Sequence, residues 1–81
     1  MTRIQMSTPE GGRVSFEVAG VTGFESVPEG TRVLLSPEAR LSPVRGKFTV
    51  EVGIDLMPVA VVVAEKDRTV LKDLIGSARE G

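Results

Sequence analysis

The chain has no cysteine, histidine, tryptophan or tyrosine, and its aromatic residues are three phenylalanines. Most hydrolases and group-transfer enzymes that work near neutral pH need a histidine base, a cysteine nucleophile or a metal held by nitrogen and sulfur ligands. Because none of these groups is present, we expect a protein that is not an enzyme and that holds neither a metal nor a cofactor. The lack of cysteine also excludes disulfide bonds as a source of stability.

The charged residues do not replace the missing chemistry. The closest grouping of acids and bases spans residues 65–68 (Glu-Lys-Asp-Arg). Alternating charges directly before a helix are typical of a solvated helix start in which an acidic residue caps the first turn. The glycines at residues 11–12 and 20–23 precede strand patterns, whereas phosphate-binding loops precede a helix. We therefore interpret these segments as a capped helix start and as turns.

Long hydrophobic runs are also absent. The longest, residues 59–64, is far below the roughly 20 residues that span a bilayer. Polar residues interrupt the apolar ones throughout residues 1–7, unlike the continuous apolar segment of a secretory signal peptide. We expect a non-membrane protein of cytoplasmic or virion location, with a single domain over residues 1–81 because the chain is too short for two cores.

Short alternating segments predict that most of the chain is β-structure. Residues 4–6 and 14–18 alternate apolar and polar side chains around a turn at residues 8–12 that contains one proline and two glycines. This pattern predicts a β-hairpin. The Pro-Glu-Gly sequence of that turn recurs at residues 28–30, between two further strand-like segments. The recurrence predicts a second hairpin.

The middle of the chain predicts a loop or edge and then two more strands. Two prolines within residues 36–43 each remove a backbone donor and disfavour both helix and central strand. Residues 59–64 are continuously apolar, as in a strand covered on both faces. Between these segments lies the clearest alternation in the chain, which assigns four residues to one buried face: Phe48, Val50, Val52 and Ile54.

One short helix is predicted near the C-terminus. Asp67 is placed to cap it, and Gly76 is predicted to stop or weaken it after about two turns. A helix this short is marginal alone, so we expect it to lie on the smaller face of residues 59–64 or on another chain. Its apolar stripe consists of five residues: Val70, Leu71, Leu74, Ile75 and Ala78. The predicted fold is mostly β (α+β), a small antiparallel sheet or partly open barrel of about five strands with this helix.

Several apolar residues have no obvious place in so small a core, and most lie beside prolines or at strand ends. They are Phe24, Leu34, Leu35, Leu41, Val44, Leu56 and Met57. A contiguous exposed group of such residues would mark an interface. The alternative is that they form a second small core beneath the long loop.

Four basic residues lie in or near that loop: Arg32, Arg40, Arg45 and Lys47. Small β-barrels that bind single-stranded nucleic acids combine a basic groove with exposed aromatic side chains. This chain has a net charge of −1 and few phenylalanines, which fall within predicted strands. The sequence therefore disfavours nucleic acid and favours protein partners.

Small size without stabilising cross-links, surplus apolar residues and missing catalytic groups together predict a structural or interaction module. We expect a small subunit of a larger homo-oligomeric or hetero-oligomeric assembly, comparable as a class to accessory proteins of phage particles. The alternative is a small regulatory protein, such as an inhibitor, antitoxin or adaptor, that binds one enzyme through a strand edge or the C-terminal helix.

Overall fold

The computed structural model describes residues 2–80, which form a mostly β protein with one helix. The strands are β1 (Arg3–Ser7), β2 (Arg13–Glu17), β3 (Val21–Val27), β4 (Gly30–Leu35), β5 (Ser42–Arg45), β6 (Val50–Val52) and β7 (Pro58–Val63), followed by helix α1 (Arg68–Glu80). They build two antiparallel sheets, of order β1-β2-β5 and β3-β4-β7-β6. The predicted α+β class is confirmed, but the described chain has seven strands where about five were expected, and the sheets do not close into a barrel.

Both predicted hairpins are confirmed. In the first, Phe16 lies opposite Ile4 and Val14 opposite Met6, so the apolar members of the alternation share one face. The turn closes where the Thr8 N–H donates to the Gly12 carbonyl at 2.9 Å. The second hairpin pairs β3 with β4.

The proline-rich segment forms a short turn and an edge strand. Residues Pro37–Ala39 make a single 3₁₀ turn, and β5 follows as the outer strand of the three-stranded sheet. Pro43 lies opposite Val14 within that strand. Proline has no N–H to donate, so an edge position is where a strand tolerates it.

The strand with the clearest alternation is much shorter than the pattern indicates. β6 covers three residues at the edge of the four-stranded sheet, Val52 is exposed and Ile54 is fully exposed. The prediction that both belong to a buried face is therefore wrong. Alternation indicates burial only where another layer covers that face, and neither side chain is covered within the described chain.

β7 is the central apolar strand, as predicted, but its pattern is interrupted. Val61 and Val63 are fully buried, whereas Val59 is exposed. Glu51 pairs with Ala60 but Val52 pairs with Pro58. One residue of β7, Val59, therefore has no pairing partner on β6. Such a β-bulge redirects a side chain and breaks the alternation, which is why Val59 does not share the core face.

The core lies between the two sheets and α1, which packs against β1 and a 3₁₀ turn at Val18–Gly20. Leu71 and Ile75 join the same core cluster as Val61 and Val63. The prediction that the helix lies on the face of Ala60, Val62 and Ala64 is therefore wrong. The hydrophobic core cluster comprises Met6, Val14, Phe16, Val18, Val21, Val33, Leu35, Ala39, Val61, Val63, Leu71 and Ile75.

The helix start is confirmed and its predicted end is wrong. The Asp67 Oδ1 accepts a hydrogen bond of 2.8 Å from the Thr69 N–H, the expected cap. α1 continues through Gly76 to Glu80, because burial of residues 71 and 75 offsets the roughly 1 kcal/mol helix penalty of one glycine. The side chain of Ala78, the last predicted member of the stripe, lies outside the described residues. No helix within residues 2–80 is both long and apolar enough to cross a bilayer.

Candidate interaction surface at the β6–β7 hairpin

The hairpin that joins β6 to β7 carries an unusual number of exposed apolar side chains. Ile54 is fully exposed and Leu56 is 78% exposed. We name this group the tip surface, and it consists of Val52, Ile54, Leu56, Met57 and Val59, all of them exposed. Isolated exposed apolar residues are ordinary. Five within eight consecutive positions concentrate apolar surface on one hairpin, and such a concentration often marks an interface.

The turn beneath the tip surface is held by its own hydrogen bonds. The Gly53 N–H donates to the Met57 carbonyl at 2.9 Å, and the Leu56 N–H donates to the Gly53 carbonyl at 3.0 Å. The Asp55 Oδ1 accepts from the Met57 N–H at 3.1 Å, as aspartate commonly does in turns. The turn therefore presents Ile54 and Leu56 from a defined backbone.

Leu56 adopts a backbone conformation that leucine rarely takes. Its φ of 65° lies in the left-handed region, which costs an L-residue about 1–2 kcal/mol and is usually given to Gly, Asn or Asp. A leucine here is both strained and exposed. Residues that violate local preference without a visible gain in the free chain are concentrated at functional sites.

The tip surface continues into an open strand edge. β6 pairs with β7 on one side and ends the order of the four-stranded sheet on the other. Arg32 of β4 stabilises this edge strand from across β7, because its Nε donates to Glu51 Oε2 at 2.7 Å while its Nη1 donates to Glu25 Oε2 at 2.5 Å. Hydrogen bonds to Glu51 and then Glu25 raise the pKa of the Arg32 guanidinium above its ordinary value.

The candidate residues named from sequence fall into different environments. Leu56 and Met57 belong to the tip surface, and Val44 is exposed on β5. Leu34 is half-buried on β4. Leu56, Met57 and Val44 remain candidates by exposure, and Val44 and Leu34 lie on other strands than the tip surface.

The remaining three predicted residues contribute to the core. Leu35 is buried in it, with 6% exposure, so its assignment to an interface is corrected. It shares the inward face of its strand with Val33 and Thr31, which are both fully buried. Phe24 and Leu41 are partly buried and pack against the same core. Leu35 and Leu41 also line a small groove of about 120 Å³ that reaches Met57 and Pro58.

Three members of the tip surface were missed from sequence: Val52, Ile54 and Val59. The alternation assigned Val52 and Ile54 to a buried face. Val59 belongs to the continuous apolar run of residues 59–64, which predicted a strand covered on both faces. The one available signal was the turn at residues 53–57, since a strand that ends in a turn projects its last residues beyond the sheet.

The described side chains contain no group of three or more acidic residues arranged to hold a metal ion. Within the same part of the chain, each buried side-chain nitrogen and oxygen has a hydrogen-bond partner. Comparisons of the sequence with protein-family models and curated proteins, and of the fold with solved structures, find no match.

Proposed function

We propose that the protein is a non-enzymatic interaction module that associates with further copies of itself through the tip surface, as a small subunit of a larger assembly. The observation that carries the proposal is the exposure of five large apolar side chains on one hairpin. Burying such side chains is worth roughly 1.5–3 kcal/mol each. Association is therefore favoured wherever a complementary apolar surface is offered.

The open edge of β6 supports a second copy as the occupant. Two identical edge strands can pair antiparallel about a two-fold axis, so that the same patch serves both partners. With the axis at the middle of β6, Val52 would lie beside Val50 of the second copy, and the turn of each copy would extend beyond the start of the other copy's β6. Partner contact would also add stability to a chain of 81 residues without cysteine, which is near the size at which a single core is marginal.

The test is the molar mass of the purified protein, measured by size-exclusion chromatography with light scattering over a wide range of concentrations. The wild type is expected to form a defined oligomer whose population rises with concentration. The double variant Ile54→Asp/Leu56→Asp should remain monomeric and folded, because both side chains are exposed. A matched control, Val70→Asp/Leu74→Asp, places the same two charges on exposed positions of α1 and should still associate.

A wild type that stays monomeric at every concentration contradicts self-association. Equal loss of association in both double variants would show that charge, and not the tip surface, is responsible.

The exposure of Val70 and Leu74 on α1 favours the second candidate, a regulatory protein that binds one enzyme through its helix. That function predicts a monomer that copurifies one-to-one with a target. It also predicts that Val70→Asp/Leu74→Asp abolishes the complex while Ile54→Asp/Leu56→Asp preserves it.

A further inference from the structure

The outward face of the three-stranded sheet is polar and positively charged. Its side chains come from β1, β2 and β5, and the face lies on the other sheet from the tip surface. We name it the arginine face, and it consists of Arg3, Gln5, Ser7, Arg13, Ser15, Glu17, Ser42 and Arg45. Neighbours in the two registers, and the contacts between their side chains, place these residues on one side.

The guanidinium groups of Arg3 and Arg13 are held on this face by hydrogen bonds. Arg3 Nε donates to Ser15 Oγ at 2.9 Å. Arg13 Nε donates to Gln5 Oε1 at 3.0 Å, and its Nη1 donates to Ser7 Oγ at 3.3 Å. These hydrogen-bond partners are neutral, so they position the guanidinium groups without cancelling their charge.

Glu17 is the acidic member of the face, and it compensates one of the three positive charges. Glu17 is 7% exposed and lies 3.7 Å from Arg3. Arg13 and Arg45 lie directly opposite each other on β2 and β5, and among the described side chains neither forms an ion pair. The Arg13 guanidinium bonds to Gln5 and Ser7 of β1, on the side of β2 away from β5, which lessens the cost of placing like charges opposite each other. A bound anion could therefore pair with both arginines.

We infer that the arginine face binds the phosphate backbone of a nucleic acid. The face is made of polar and charged side chains, with Val44 of β5 the large exposed apolar residue beside it, whereas protein interfaces are built around an apolar centre. Interfaces with nucleic acids are more polar and much more positively charged. The net charge of −1 disfavoured this partner at first, but the structure separates the charges and gathers three arginines on one face.

The positive groups of Arg3 and Arg13 converge on the middle of the face. Arg13 and Arg45 form one end of the face, and Ser7 lies opposite Arg13. Arg3 lies at the other end of β1, but its Nε bonds to Ser15, directly opposite the Gln5 that accepts from Arg13. Arg3 Nη2 also donates to the Arg40 carbonyl at 2.7 Å, which brings the backbone of a further arginine to that end.

The named members of the face include no aromatic residue. Phe16, the aromatic residue of β2, is fully buried, so no ring is available there for base stacking. Binding is therefore expected to be independent of sequence and strongly weakened by salt. Repetition of the face in an oligomer would strengthen it by avidity, but the inference does not require the proposed self-association.

The test is fluorescence anisotropy with a labelled oligo-dT strand and with a labelled duplex of random sequence, titrated at several salt concentrations. The wild type should bind both, with log K falling linearly with log salt. The variant Arg13→Gln/Arg45→Gln should bind roughly tenfold more weakly, and its salt slope should be lower by about 2, or one for each lost phosphate contact. Its melting temperature should change little, because the hydrogen bonds of Arg13 to Gln5 and Ser7 are exposed to solvent.

The matched control Lys66→Gln/Arg68→Gln removes the same two charges at the exposed start of α1 and should bind as the wild type does. The inference is overturned if wild-type binding is absent at low salt, or if the control loses as much affinity as the face variant. It is also overturned if poly-glutamate displaces the oligonucleotide as effectively as unlabelled oligo-dT does, because the face would then recognise acidic proteins. Binding by a monomeric wild type would support the face while contradicting the proposed assembly.

Discussion

The hydroxyl of Thr31 in β4 donates a hydrogen bond of 2.6 Å to the backbone carbonyl of Glu65, in the segment that leaves β7 for α1. Thr31 is fully buried, and its hydroxyl ties the strand to the start of the helix connection. Thr8 has the same function elsewhere, since its hydroxyl donates to the Lys47 carbonyl at 2.6 Å and accepts from the Gly12 N–H at 2.9 Å. Two buried threonines therefore fasten irregular segments to the sheets.

Replacing Thr31 with valine should destabilise the protein by about 1–3 kcal/mol, because the nearly isosteric side chain leaves the Glu65 carbonyl without its partner. Thermal denaturation should show a fall of about 4–8 °C in melting temperature per kcal/mol. Thr31→Ser keeps the hydroxyl and loses only a methyl group, so it should be less destabilising. A valine variant as stable as the wild type would show that the hydrogen bond contributes nothing.

Replacement by alanine is expected to have opposite effects on stability at two glycines. A Cβ added to Gly76 in α1 meets nothing within 4 Å, so Gly76→Ala should stabilise the protein by about 1 kcal/mol through helix propensity alone. A Cβ on Gly30 would lie 2.0 Å from the Val63 carbonyl oxygen, so Gly30→Ala should force β4 from β7 and destabilise by at least 1–3 kcal/mol. Chemical denaturation of both variants measures the contrast, and a destabilised Gly76→Ala would contradict the described helix.

Much of the fold was predictable where local chemistry decides it. The Pro-Glu-Gly turns define both hairpins, and Asp67 marks the helix start through a cap that involves only its near neighbours. The helix end was not predictable, because the stability that carries it past Gly76 comes from burying Leu71 and Ile75 against distant strands. Propensity describes the neighbouring residues, and packing overrides it.

The two surfaces were harder to predict for a related reason. Ile54 fits a buried alternation in sequence, yet its position beyond the edge strand leaves it without a covering layer. The arginine face combines β1, β2 and β5, and the pairing of Arg13 with Arg45 joins segments 32 positions apart. Side chains that share a face through such long-range pairing cannot be grouped before the strand order is known.

The ion pairs of Arg32 predict the behaviour of the edge strand. Arg32→Gln should increase amide hydrogen exchange in β6, because the side chain that reaches Glu51 across β7 is lost. Glu25→Gln should have a smaller effect, since Arg32 still contacts Glu51. Hydrogen exchange followed by mass spectrometry of the peptide that covers β6 makes the comparison. Identical exchange in Arg32→Gln and wild type would show that backbone pairing alone holds the strand.

A substitution at Leu56 tests the cost of its backbone strain separately from the contribution of its exposed side chain to association. Asparagine tolerates a positive φ far better than leucine does, so Leu56→Asn should raise the free energy of unfolding by about 1 kcal/mol. The same substitution removes one of the most exposed apolar side chains of the tip surface. If that surface drives self-association, the variant should be more stable as a monomer and weaker as an oligomer, measured by denaturation at low concentration and by light scattering at high concentration.

Ile54→Asn is the matched control, because Ile54 is equally part of the tip surface but does not have a positive φ. It should weaken association to a similar degree without the gain in monomer stability. Stabilisation by both variants would mean that relief of exposed apolar surface, and not backbone strain, is responsible. Unchanged stability in Leu56→Asn would mean that the left-handed conformation costs this leucine nothing, and the turn would then give no sign of selection for an exposed side chain.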